Sequence, residues 1–229
     1  MGSGAQTVTL GEETFAHSGD AEPGLHTFSS GSSVYRLREW TWAEKNAASN
    51  ASVVLDPETG GFRIDAARFN EAMLSATLLE ATVDGRALEI SPAALRGLKA
   101  SLGDRLLGLA QWVNGMLAEA VQPPAEPRFD PRTEMYELAL GQDRYRFREW
   151  TWGEKNDISN RSVVYDPAGD GFRVNVATFN EGMLQATLVE APFEVTLENL
   201  RRLPASQGDA LLGAAQWVSR LAATEKKSS

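Results

Sequence analysis

Carboxylates are the commonest groups in this sequence that could do chemistry. There are 31 Asp and Glu against 22 Lys and Arg, with two histidines and no cysteine. Asp56, Glu58 and Asp65, and later Asp166 and Asp170, cluster near glycine-rich stretches and raise a calcium loop as a reading. Their spacing departs from the Asp-x-Asp-x-Asp-Gly order of such loops, so a solvated hairpin turn explains them better. Glu39 and Glu44 come nearest to a pair of acids. Glu44, however, follows Thr41 by three residues, which is the capping-box spacing, and no further residue completes an acid–base set. His17 and His26 both precede the repeated segment described below, so nothing there can activate a Ser or Thr nucleophile or supply the usual zinc ligands. The glycines of PETGGF and PAGDGF are not followed by Lys-Ser or Lys-Thr, and no dinucleotide fingerprint occurs. The sequence therefore reads as non-enzymatic, with no catalytic residue, metal or cofactor.

A second group of residues suits binding. The stretch REWTWAEKN (38–46) returns as REWTWGEKN (148–156). Burial of the aromatic side chains at a strand-to-helix corner accounts for much of this pattern, since such rings cover large areas. The alternative is a partner-binding surface, because Trp and Arg are favoured interface anchors. Its candidates are Arg38, Trp40, Trp42, Lys45 and Asn46, with Arg148, Trp150, Trp152, Lys155 and Asn156. Asparagine forms helices poorly, so Asn46 and Asn156 call for a hydrogen-bond partner.

These stretches lie in a longer repeat. Tyr35 to Ala81 aligns with Tyr145 to Ala191 at a constant offset of 110, with 31 of 47 positions identical. The match resumes at offset 105, where Leu102-Gly103-Asp104 faces Gln207-Gly208-Asp209 and Gln111-Trp112-Val113 faces Gln216-Trp217-Val218. A period this long implies duplicated domains rather than solenoid units. The expected organisation is a mobile N-terminal tail (1–24), a first repeat domain (25–120), a Pro-rich linker (121–132), a second repeat domain (133–223) and a C-terminal tail (224–229). TVTL (7–10) can pair as a strand where a partner offers an edge.

Each repeat begins with a hairpin, clearest where MYELAL and RYRF alternate around a glycine turn. The strand is expected to end at Trp40 and Trp150, and the capped helix to run to about Asn50 and Asn160. SVVLDPETGGFRID and SVVYDPAGDGFRVN read as second hairpins. Asp65 and Asn175 can cap the following helices, in which Phe69, Met73, Ala76 and Leu79, or Phe179, Met183, Ala186 and Val189, share one face. Ser91-Pro92 and Thr196 open further helices. The fold class is α+β: two homologous tandem domains, each with two β-hairpins followed by three to four α-helices.

Net charge is −9, with 9 basic and 15 acidic residues before position 121 and 13 and 16 after it. Neither half offers the positive footprint that phosphate backbones require, which argues against nucleic acid. No apolar run has the length of a membrane span, so no membrane partner is expected. The N-terminus lacks a secretory pattern, and the absence of cysteine suits a reducing compartment. The expected location is cytoplasmic, or within a particle assembled there. Without a secretory signal, the sequons at Asn50 and Asn160 read as helix-end residues.

Three phrases carry a family resemblance: FREWTWGEKN after its opening strand, FNEGMLQATLVEAP (179–192), and LENLRRLPASQGDALLGAAQWVSRL (197–221). In that order they resemble the assembly chaperones of phage tails and phage-like contractile particles, including XkdN-like proteins and baseplate hub assembly chaperones. The resemblance covers both repeats. It implies a non-enzymatic assembly chaperone or adaptor whose protein partners are tail tube, tape-measure or baseplate hub components. Such chaperones are often single-domain, so the doubling here also admits a permanent structural subunit that contacts two neighbours.

Overall fold

The computed structural model describes residues 6–19, 24–55, 62–116, 126–166 and 171–219. Strands β1 (Gln6–Leu10), β2 (Glu13–Gly19), β3 (Leu25–Ser30) and β4 (Ser33–Arg38) lead into helix α1 (Trp42–Ser52). Next come β5 (Val53–Leu55), β6 (Phe62–Ile64), α2 (Ala66–Thr77), β7 (Leu78–Val83), β8 (Arg86–Ala87), α3 (Pro92–Arg96) and α4 (Ala100–Val113). The chain continues through β9 (Arg128–Asp130), β10 (Met135–Leu140), β11 (Asp143–Phe147), α5 (Trp152–Ser162), β12 (Val163–Asp166) and β13 (Gly171–Val174). It closes with α6 (Val176–Thr187), β14 (Leu188–Glu190), α7 (Leu197–Arg202) and α8 (Ala205–Val218). The fold is α+β, with antiparallel sheets ordered β1-β2-β3-β4-β7-β8 and β14-β11-β10-β9 and two-stranded β5-β6 and β12-β13 ribbons.

Local chemistry sets the helix starts. Thr41 Oγ1 accepts from the Glu44 amide at 3.3 Å while Glu44 Oε2 takes the Thr41 amide at 2.8 Å. Thr151 and Glu154 repeat the box at 3.2 and 2.7 Å. Each box satisfies two amides that a helix N-terminus leaves without partners. Asp65, Ser91, Asn175 and Thr196 cap as their types suggest. At the hairpin turns, Gly31 and Gly141 take φ of +57° and +61°, which a side chain would strain.

Several sequence expectations are corrected. Residues 6–19 form β1 and β2 instead of a tail: Val8, Phe15 and His17 turn inward at alternate positions. The linker's end is also ordered, because Arg128–Asp130 pairs with β10; residues 117–125 lie outside the described chain, as do the turns at 56–61 and 167–170 and the C-terminal tail. Strands β4 and β11 stop at Arg38 and Phe147, short of the tryptophans. Leu79 and Val189 are not helical. Thr77 and Thr187 hydroxyls bond back to the Met73 and Met183 carbonyls, and Leu78 and Leu188 then turn extended to pair with β4 and β11.

The compact units do not follow the repeats. One unit draws on Met1–Trp40 and Arg63–Val121, the other on Thr41–Phe62 and Gln122–Ser229. In the first unit, α4 packs on β4, β1 and α2. Phe15, Phe28, Tyr35, Leu37, Met73 and Leu106 are fully enclosed. Arg105 joins Glu13 at 2.7 Å and the Tyr35 hydroxyl at 3.2 Å, tying α4 to the β1–β2 end of the sheet. In the second unit, α6 packs on α8, α5 and α7, and α1 packs on α6, α7 and α8. Helix α1 carries first-repeat sequence yet belongs to the second unit, and Trp42 is part of that unit's core with Tyr145, Phe147, Met183, Leu200 and Leu211.

Candidate functional site

The two copies of the Trp-rich segment share backbone but not surroundings. Thr41 has φ −75° and ψ 158°, and Thr151 has φ −77° and ψ 159°. Ahead of each threonine the first tryptophan goes into its own unit. Trp40 is buried edge-on to Phe69 at 5.6 Å, and its amide donates to Asn114 Oδ1 at 3.0 Å. Trp150 is buried edge-on to Phe179 at 6.0 Å. A binding surface containing these two indoles is therefore corrected: at the strand-to-helix corner both rings are core.

The second tryptophans part company. Trp42 is fully buried, its amide donating to the Leu203 carbonyl at 2.8 Å. Its ring lies against Gly208, where a β-carbon would stand 2.8 Å from Trp42 Cβ and nearer still to the indole. Only glycine leaves room for so close an approach. Lys45 Nζ pairs with Asp209 beside it. Asn46 is buried with Nδ2 lacking a partner, as is Trp42 Nε1. Among the described residues, the hydrogen-bond partner expected for Asn46 is not found at its Nδ2.

On α5 the same face is open. Trp152 is 81% exposed, Lys155 is exposed and Asn156 half-buried. The helix is held to its own unit by another face: Ile158 is buried against Gly182, where a β-carbon would meet Ile158 Cγ2 at 2.9 Å. Arg148 is engaged internally, bonding Glu154 through two nitrogens at 2.9 and 2.5 Å. That pairing, with the Thr151 amide, holds the Glu154 carboxyl down to about 2. Arg38 is half-buried and donates to the Glu39 carbonyl at 3.2 Å. Of the ten residues proposed from sequence, Trp152 and Lys155 are the two left open on α5.

Two further features escaped the sequence reading. On β12–β13, Val163 pairs with Val174 and Tyr165 with Phe172, and all four side chains are exposed, Phe172 to 74%. The Tyr165 and Phe172 rings sit 5.7 Å apart, edge to face. The opposite face is the one in use, with Arg173 donating to Asn50 of α1 at 3.3 Å. The Val-Val and Gly-Phe-Arg-Val runs signal strands in the sequence, but not which face lies outward. The second feature is a histidine pair, with His17 Nε2 3.0 Å from His26 Nδ1 and both rings beside Phe28 and Trp112. Burial lowers the His17 pKa.

Among the described residues no group of three or more His, Asp or Glu side chains is placed to hold a metal ion. None of their helices is long and apolar enough to cross a membrane. Compared with protein-family models, curated proteins and solved structures, the chain finds no match.

Proposed function

We propose that this chain is a non-enzymatic assembly chaperone or adaptor that binds protein partners, acting on tail or baseplate components of a contractile phage-tail-like particle. The observation that carries the binding role is the four-residue apolar face of β12–β13. Exposed, paired apolar side chains of this kind mark interaction surfaces in soluble proteins, and an extended ribbon can take up a partner segment. The contractile-tail assignment rests on the sequence resemblance. A tail tube, tape-measure or baseplate hub subunit would lay apolar surface on the hairpin until assembly buries it elsewhere. A cytoplasmic location, or incorporation into the particle, follows from that role.

The test is affinity capture of the tagged full-length chain from cells making the particle, followed by mass spectrometry. Recovery of a tail or baseplate component, and its loss when Tyr165 and Phe172 are both changed to serine, is the expected result. Capture of no such component overturns the assignment. A permanent structural subunit that contacts two neighbours is the second reading, favoured by the repeat of Tyr35–Ala81 as Tyr145–Ala191. Stoichiometric presence in purified particles would select it, because a chaperone leaves before completion.

A further inference from the structure

The contact between α1 and the second unit has an unoccupied counterpart. Its main anchoring residues recur at the repeat-equivalent positions, although Pro204, which bridges Thr41, is Lys99 there and Ala48 is Ile158. On the inserting side, Trp42, Lys45 and Asn46 correspond to Trp152, Lys155 and Asn156. On the receiving side, Leu203, Gly208 and Asp209 correspond to Leu98, Gly103 and Asp104.

The receiving backbone is already formed in the first unit. The Leu98 amide bonds the Leu95 carbonyl at 3.3 Å, as Leu203 bonds Leu200 at 3.3 Å. Gly103 bonds Lys99 at 3.0 Å, as Gly208 bonds Pro204 at 3.0 Å. The N-cap residues agree too: Lys99 has φ −60° and ψ 140°, and Pro204 has φ −50° and ψ 139°. What differs is occupancy. A β-carbon on Gly103 would meet nothing within 4 Å. Leu95, Leu98 and Leu107 are half-buried where Leu200, Leu203 and Leu212 are buried, and Ala100 is exposed where Ala205 is buried. The inserting side is equally unused, with Trp152 at 81% exposure against none for Trp42.

We propose that Trp152 of one chain docks on the Gly103 face of a second copy, so that the protein assembles head to tail. The docked α1 contact supplies the geometry: the Trp152 amide meets the Leu98 carbonyl, its indole covers Gly103, and Lys155 pairs with Asp104. Both backbones are preformed, which lowers the ordering cost of association. Ile158 holds α5 in its own unit by a face about a third of a helical turn from Trp152, so docking leaves that attachment in place. Each chain carries one knob and one hole on different surfaces, which makes the interface heterologous and its products rings or filaments. This inference is independent of the contractile-tail assignment.

Sedimentation velocity of the full chain tests it, from micromolar to near-millimolar concentration. The average mass of the wild type should rise from 24.9 kDa to multiples of that value. Trp152→Ala and Gly103→Ala should each stay monomeric while keeping wild-type circular dichroism. Mixed together they should form a dimer and nothing larger, since one retains only the hole and the other only the knob. Lys155→Glu should also weaken assembly, with Asp104→Lys in the same chain restoring it. A wild type that remains monomeric throughout overturns the proposal. So does an oligomer that survives both Trp152→Ala and Gly103→Ala, or a mixture of those variants that stays monomeric.

Discussion

Trp42 and Gly208 interlock: the indole of one stands where a β-carbon on the other would have to sit. One contact thus binds a helix of first-repeat sequence into the core of the second unit, with the Lys45–Asp209 pair at its edge. Trp152, in the matching place on α5, has no such seat among the described residues of its own unit.

The two tryptophans should differ sharply on truncation. Trp42→Ala should destabilise the chain by about 3–5 kcal/mol, the usual range for emptying a buried aromatic site. Trp152→Ala should stay within about 0.5 kcal/mol of wild type, as exposed substitutions do. Chemical denaturation at a concentration where the wild type is monomeric measures both.

The glycines give a second contrast. Gly208→Ala forces a methyl group into the indole and should cost about 1–3 kcal/mol, as overpacking does. Gly103→Ala meets open space inside a helix and should stabilise the isolated chain by about 0.5–1 kcal/mol. Thermal melts of the two variants side by side decide the sign of each.

Acid should weaken the molecule in two stages. The folded pKa of His17 is lowered below the ordinary 6.5 by burial, so between those pH values the unfolded chain binds more protons. Its contribution is complete above about pH 6.5 and is lost as the pH falls toward the folded value. Glu154 acts lower down: Arg148 and the Thr151 amide take its pKa from 4.5 to about 2. Its contribution is therefore present above pH 4.5 and lost between 4.5 and about 2. Melting temperature against pH should lose its upper step in His17→Phe and its lower step in Glu154→Gln.

Replacing Tyr165 and Phe172 together by serine should leave thermal stability nearly unchanged while reducing binding of a hydrophobic dye. Both side chains are exposed, so the cost is that of a surface aromatic pair rather than of a core contact. A large fall in melting temperature would show that they support the fold.

Where the sequence was legible, local chemistry decides the structure. Thr41 with Glu44 and Thr151 with Glu154 fix helix starts within four residues, so the pattern alone suffices. The β10–β11 hairpin is likewise written in alternation around Gly141. The β1–β2 strands were harder to read, although Phe15 and His17 stand two apart, because the Gly, Ser, Thr and Glu residues around them resemble a tail. The destination of α1 was not legible at all. Seven of its eleven residues are those of α5, and the telling change is small: Ala48 stands where Ile158 holds α5 against Gly182. The candidate site was half readable for the same reason: the identity of the Trp-rich segment was visible, but not that Trp40, Trp42 and Trp150 are core while Trp152 is open.

The placement of α1 also sets an order of events in folding. Lys45 and Asp209 are 164 residues apart in sequence, so the second unit's core closes only after nearly the whole chain has been synthesised. Contacts of such long range are slow to form. During translation the first unit's β4 and β7 can pair early, while the seat of Trp42 around Leu203 and Gly208 is made later. A nascent chain in that interval exposes its most buried tryptophan, and that is the stage at which a folding helper would have most to hold.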